Sequence, residues 1–262
     1  MYQRPSEPLS IGGVLDNGIQ LFKASVVKTF PLALAAGLIS SLPQIYTQVA
    51  GLGPYETAML GDSMGTILGM VLITSLLAMA AYLAVLSMQD AISNNRTMPI
   101  DEAVLIGLTR LPAMLGATLL YMAAIMVGTI LLIVPGIIIS VYWILFAIAV
   151  VSDRKGPLQS IGYSYQLIKG YWWRSAAILG VMGIIAMVLY AALIMLVVGG
   201  VINVPGSEES TGLVIFTSLA TAFVSAAVAP LYYAILLVMY NDLKLRRDGD
   251  DLLRRAESSV SA

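Results

Sequence analysis

The stretch Ala117–Val151, ATLLYMAAIMVGTILLIVPGIIISVYWILFAIAVV, contains no Asp, Glu, Lys or Arg. As one helix it would far exceed a hydrocarbon core about 30 Å thick, and Val134-Pro135-Gly136 offers a tight turn within it. The stretch therefore reads as a transmembrane hairpin, joining a span at about 111–133 to one at about 137–152. Outward from it, four more apolar runs are long enough to cross, at about 29–49, 66–90, 174–201 and 213–240. The fourth span is short and the fifth long, which predicts different tilts. The expected fold is all-α and polytopic, with a single six-span membrane domain over residues 1–240 and a charged tail over 241–262. Composition agrees: 59% of residues are hydrophobic and 11% charged, and mean hydropathy is +0.89, whereas about a quarter of residues in soluble domains are charged. The first 25 residues are mostly polar or amphipathic and lead into a full span, so no cleavable signal peptide is expected.

Six alternating crossings place residues 1–28, 91–110, 152–174 and 241–262 on one side, and all 14 Lys and Arg fall there. The opposite loops hold only the acids Glu56, Asp62, Glu208 and Glu209. The positive-inside rule then puts both termini of this multi-pass chain in the cytoplasm. The cations track the membrane edge and form no basic domain, which excludes nucleic acid and favours anionic lipid as a partner. There is no cysteine or histidine, and no acid or base near the middle of a span. Disulfides, thiol chemistry, metal sites and proton-coupled transport are disfavoured together, and no cofactor is implied.

One polar stretch interrupts the apolar runs. In GPLQSIGYSYQLIKGYWWRS, Gly156–Ser175, Pro157 suits a first helical turn and Gly170 a helix break. Leu158, Ile161, Tyr165 and Ile168 share one face, opposite Gln159, Ser160 and Gln166. The pattern predicts an amphipathic helix on the inner membrane surface. Trp172 and Trp173 would form an aromatic belt, and Arg174 would snorkel where the fifth span enters. Residues 18–28, GIQLFKASVVK, align without gaps on 164–174, SYQLIKGYWWR, and Pro99–Pro112 opens in a similar way. Two or three such interfacial helices, each followed by a hairpin, would make three diverged repeats.

Other signals have plain structural readings. GDSMG, Gly61–Gly65, fits the nucleophile pattern of serine hydrolases, but the chain has no histidine to serve the serine. Asp62 or Ser63 there suits a helix cap. Gly61, Gly65 and Gly69, like Ser218, Ala222 and Ala226, are spaced for close helix approach. Pro31 and Pro43 interrupt a span, and Pro230 is a candidate hinge. Tyr82, Tyr121, Tyr142, Tyr190, Tyr232 and Tyr233, with Thr74, Ser75, Thr118, Thr129 and Thr221, are the polar groups at depth, able to line a pathway or to bond between helices.

Three segments, VPGIIISVYW, SDRKGPLQSIGYSYQLIKGYWWR and the terminal YNDLKLRRDGDDLLRRA, resemble in order the bacterial YciC-like inner-membrane proteins. The related membrane domain associated with glycerophosphodiester phosphodiesterases shares them. Tyr240, Asp242, Leu243, Arg246, Gly249, Asp251 and Leu252 fit the terminal pattern. The resemblance implies six spans and a role not established for the family. It implies no phosphodiesterase activity, because the soluble barrel that would supply it is missing. The expected function is non-enzymatic: binding lipid or partner proteins, other membrane proteins or further copies of the chain, in support of envelope homeostasis. Lys169, Arg174, Lys244, Arg246 and Arg247, with Trp172 and Trp173, are the lipid-headgroup candidates. The alternative is a transporter or channel for an uncharged or amphiphilic solute.

Overall fold

The computed structural model describes residues 2–50, 61–203 and 211–260, and side chains within them except at 61–63, 196–203 and 250–260. Glu56, Glu208 and Glu209, and the side chains of Asp62, Ser63, Asp251, Leu252, Arg254 and Arg255, lie outside that description. The described residues form eight helices: α1 (Ile11–Val49), α2 (Gly61–Ser93), α3 (Ile100–Leu131), α4 (Ile133–Trp143), α5 (Phe146–Val151), α6 (Pro157–Ile168), α7 (Trp172–Asn203) and α8 (Thr211–Val260). Six segments are long and apolar enough to cross a membrane: α1, most of α2, α3, α4 with α5, the first part of α7 and most of α8.

Two expected surface helices do not stand apart. α1 runs unbroken for 39 residues, about 58 Å at 1.5 Å per residue, so residues 11–28 continue directly into the first span. α3 likewise passes through Pro112 without a break. Only α6 is a separate helix. Pro157 occupies its first turn, and Gly170 at φ +92° redirects the chain before α7. In the gapless alignment Ala24 stands opposite Gly170, and alanine, lacking glycine's freedom at positive φ, continues the helix.

α6 also shows a different face from the expected one. Ser160, Ile161, Ser164, Leu167 and Ile168 are buried, while Leu158 is 75% exposed and Tyr165 is exposed with it. The reason lies in the fourth span, which is broken between α4 and α5. The Ser164 hydroxyl donates to the Tyr142 carbonyl at 2.8 Å and accepts the Leu145 N–H at 3.1 Å, repairing backbone groups that the break leaves open. The turn of the hairpin is Leu132 alone, in extended conformation, and Val134–Gly136 belong to the first turn of α4. Gly136 there presses against Gly128 and Thr129.

Antiparallel α1 and α8 form the main pair. Gly18 lies against Ile235, and Gly37 against Ala222, 3.0 Å from where a β-carbon would sit. Ser218, Ala222 and Ala226 are buried as their spacing suggests. Gly65 and Gly69 meet nothing within 4 Å, so the glycine ridge of α2 makes no close approach. Pro31, Pro43, Pro112 and Pro230 all lie inside continuous helices. The dense core sits at the end of the bundle that carries the cations. Leu145–Val151 and Ala234–Leu243 are buried without interruption, with Val14, Leu21, Leu86, Leu167 and Ile178 around them.

Candidate functional site

The basic end is organised around two carboxylates. Asp242, its side chain 1% exposed, accepts the Leu9 N–H at 2.7 Å, Arg174 at 2.9 Å and Arg246 at 3.0 Å. Both arginines also donate to the Leu9 carbonyl at 2.6 Å. Residue 9 is thus held at both backbone polar groups. Asp153, on the turn after α5, accepts Lys244 at 2.8 and 3.0 Å and the Tyr240 hydroxyl at 2.7 Å. Burial opposes its charge, but these hydrogen bonds outweigh burial and hold the Asp153 carboxyl below the usual range.

These contacts reassign most of the headgroup candidates. Arg174, Lys244 and Arg246 have carboxylate partners, and Arg247 donates to the Gln166 carbonyl at 2.7 Å. Lys169 and Arg247 are the exposed members of that set, and neither has an ion pair among the described residues. The terminal pattern is therefore a clamp, in which Tyr240, Asp242 and Arg246 tie α8 to the amino-terminal arm, α7 and the α5–α6 turn. Trp173 is 82% exposed; Trp172 donates to the Ile138 carbonyl at 3.4 Å.

Within the spans a groove of about 430 Å³ is lined by α1, α2, α3, α5 and α8. It brings together Tyr82, Tyr121 and Tyr233 with Ser75 and Thr118, among Met79, Met114, Met122 and Phe146. Tyr82 and Tyr233 have ring centroids 6.2 Å apart, and the buried Thr118 hydroxyl has no partner. The other tyrosines are elsewhere. Tyr142 stacks on Tyr165 at 4.9 Å, the Tyr190 hydroxyl is 3.3 Å from that of Ser225, and Tyr232 faces Met182 and Ala186 of α7. Beside the groove lies a residue that the sequence did not single out. Gln89, fully buried, donates to the Pro230 carbonyl at 2.7 Å and to Ser25 at 3.3 Å, latching the proposed hinge. An uncharged amide near the end of a long apolar run was its only signal.

At the basic end a second hollow, about 390 Å³, opens between α2, α3 and the α5–α6 turn. Arg96, Arg110 and Arg154 line it, with Asp90, Glu102 and Ser152. Sequence reading used these arginines only to orient the chain. A further polar recess of about 280 Å³ shares Asp90, Arg96 and Ser152 with it and reaches Arg4, Asp153 and Lys244.

Architecture and site together define a multi-pass α-helical membrane protein with an internally clamped basic end, an intramembrane groove and a cationic recess. Compared with models of known protein families, with curated protein sequences and with solved structures, the chain has no match.

Proposed function

We propose that the chain is a non-enzymatic protein of the bacterial inner membrane, both termini cytoplasmic, that holds membrane lipid at its flank. In this role it supports the envelope, alone or docked to other membrane proteins. The observation that carries the reading is the groove: a largely apolar space within the spans, with the hydroxyls of Ser75, Tyr82, Thr118 and Tyr121 set along it, suits an acyl chain and its ester linkage. The exposed Leu158, Tyr165 and Trp173 suit the membrane interface.

Native mass spectrometry of the protein released from mild detergent tests this. Wild type is expected to retain phospholipid, and Met122→Trp, which fills the groove from its exposed rim, is expected to retain less. Equal retention would remove the groove from the account. A second reading, transport of an uncharged or amphiphilic solute, draws on the same three tyrosines and on Pro230, and predicts flux into proteoliposomes that Met122→Trp blocks. Orientation is checked with a single cysteine at Asn95, in a chain that otherwise has none. It should resist an impermeant reagent in intact cells, while cysteines at Glu56 and Ser207 react.

A further inference from the structure

The recess lined by Arg96, Arg110 and Arg154 is separate from the clamp. Arg110 makes one long contact, to the Arg154 carbonyl at 3.5 Å. Arg96 is 3.9 Å from Asp90 and 66% exposed. Asp90 itself is turned inward: its Oδ1 accepts the Ser152 hydroxyl at 2.9 Å and an Asn94 amide N–H at 3.4 Å. Glu102, the other acid of the lining, is exposed in the first turn of α3, where it complements the helix dipole. Three guanidiniums therefore face a space whose nearest carboxylate is already engaged.

The backbone holds two of them in place. α2 ends with Asn95 at φ +55°, the Arg96 N–H returning to the Ala91 carbonyl at 2.8 Å and the Asn95 N–H to that of Ile92 at 3.0 Å. This is a Schellman ending, with Asn in the glycine position, and Arg96 leaves it directly over the recess. Arg154 is itself left-handed at φ +53°, and the Lys155 N–H closes its turn on the Ala149 carbonyl at 3.1 Å. Two non-glycine residues in a disfavoured region, each fixing an arginine of one recess, indicate an arrangement held by its surroundings.

The rim is apolar. Leu105, which lines the recess, is 61% exposed, and Leu108 and Ile100 on the same turns of α3 are about half exposed. Each lining helix also carries a groove residue within one turn: Leu86 next to Ser87, Met114 one turn from Arg110, and Ala147 one turn from Val151. An occupant of the recess thus meets guanidiniums within it and the exposed Leu105 side chain at its rim. Planar guanidiniums recognise phosphate by paired hydrogen bonds.

We propose that this recess binds the phosphate of an anionic glycerophospholipid through Arg96, Arg110 and Arg154, with the acyl chains running over Leu105 toward the groove. The proposal rests on the lipid-binding reading and assigns its headgroup site to arginines outside the clamp. The full chain is reconstituted in nanodiscs of phosphatidylcholine containing a minor fraction of phosphatidylglycerol, and retained lipid is read by native mass spectrometry after release. Wild type should enrich phosphatidylglycerol by about tenfold. The triple variant R96Q/R110Q/R154Q should lose that enrichment while retaining total lipid, R96Q alone should lose part of it, and Lys23→Gln, an exposed cation at the same end, should leave it intact. Because Arg96 is mostly exposed, the single variant keeps the test valid even where the triple variant folds poorly. Enrichment that survives R96Q and the triple variant alike, or wild type that retains lipid without preference, overturns the headgroup site and leaves the lipid reading standing. Wild type that retains no lipid overturns both. Free inorganic phosphate added to lipid-depleted protein is the last arm: if it raises the melting temperature through the same arginines and phosphatidylglycerol does not, the site takes a soluble anion and the lipid proposal is wrong.

Discussion

The two ends of the bundle are built differently. At the basic end, residues 145–151 and 234–243 are buried in succession and the charged groups are cross-linked by hydrogen bonds. Toward the other end, α2, α3 and α7 expose Leu72, Met126, Ile130, Met187 and Met195. The buried run 145–151, LFAIAVV, is at least as apolar as the exposed stretches of the other end, so hydropathy does not explain the contrast. The solvent does: beside lipid tails an exposed leucine loses little, whereas at the water boundary apolar side chains need protein cover and helix ends need hydrogen-bond partners. Packing and polar contacts are accordingly concentrated where the hydrocarbon stops.

Substitutions at the two ends should separate in proportion. Asp242→Ala removes a buried carboxylate and leaves the partly buried Arg174 and Arg246 without it, which should cost about 3–5 kcal/mol and lower the detergent melting temperature more than any other single change considered. Tyr190→Phe, in the loose half, should shift it by under about 1 kcal/mol, and equal losses would erase the contrast between the ends. Next in size, Gly18→Val forces a side chain into Ile235 and should cost about 1–3 kcal/mol. Gly65→Val, facing open space, should stay within about 0.5 kcal/mol.

Acid gives a finer probe. The Asp153 carboxyl titrates below its usual value in the folded protein, so its contribution is complete above about pH 4 and fades as pH falls through the depressed value. Melting temperature should be flat in this respect from pH 5 to 8 and drop below pH 4. Asp153→Asn should flatten that drop; an unchanged acid limb in the variant would show that other groups cause it. The smallest expected effect is at the belt. Trp173→Ala should alter stability by no more than about 0.5 kcal/mol, although Trp172 and Trp173, read in a Trp143→Phe background, should be quenched most by bromine near the lipid headgroups. Strongest quenching at the bilayer centre would contradict the interfacial placement.

The spans were legible because long apolar runs admit few alternatives, and α6 was legible because Pro157 and Gly170 punctuate it. The faces were not. A helix apolar all round has no periodic signal for which side meets protein, and in α6 the serines turned inward because Ser164 is needed at the break in the fourth span. That break has no proline or glycine at residues 143–145 to announce it. Nor could a cation count distinguish Arg174, bonded to Asp242, from Arg96 at the rim of a recess. Partnership is a property of tertiary contacts between residues far apart in the chain.

The bond from Leu9 to Asp242 joins positions 233 residues apart. During synthesis the amino-terminal arm emerges 233 residues before its acceptor, so the arm waits through the insertion of every intervening helix before it can lock. A chain interrupted before α8 would leave Arg174 without its carboxylate and the Leu9 N–H without its acceptor, with Arg174 alone left to bond the Leu9 carbonyl. Closure of this contact therefore reports that α8 has reached its place beside α1 and α7.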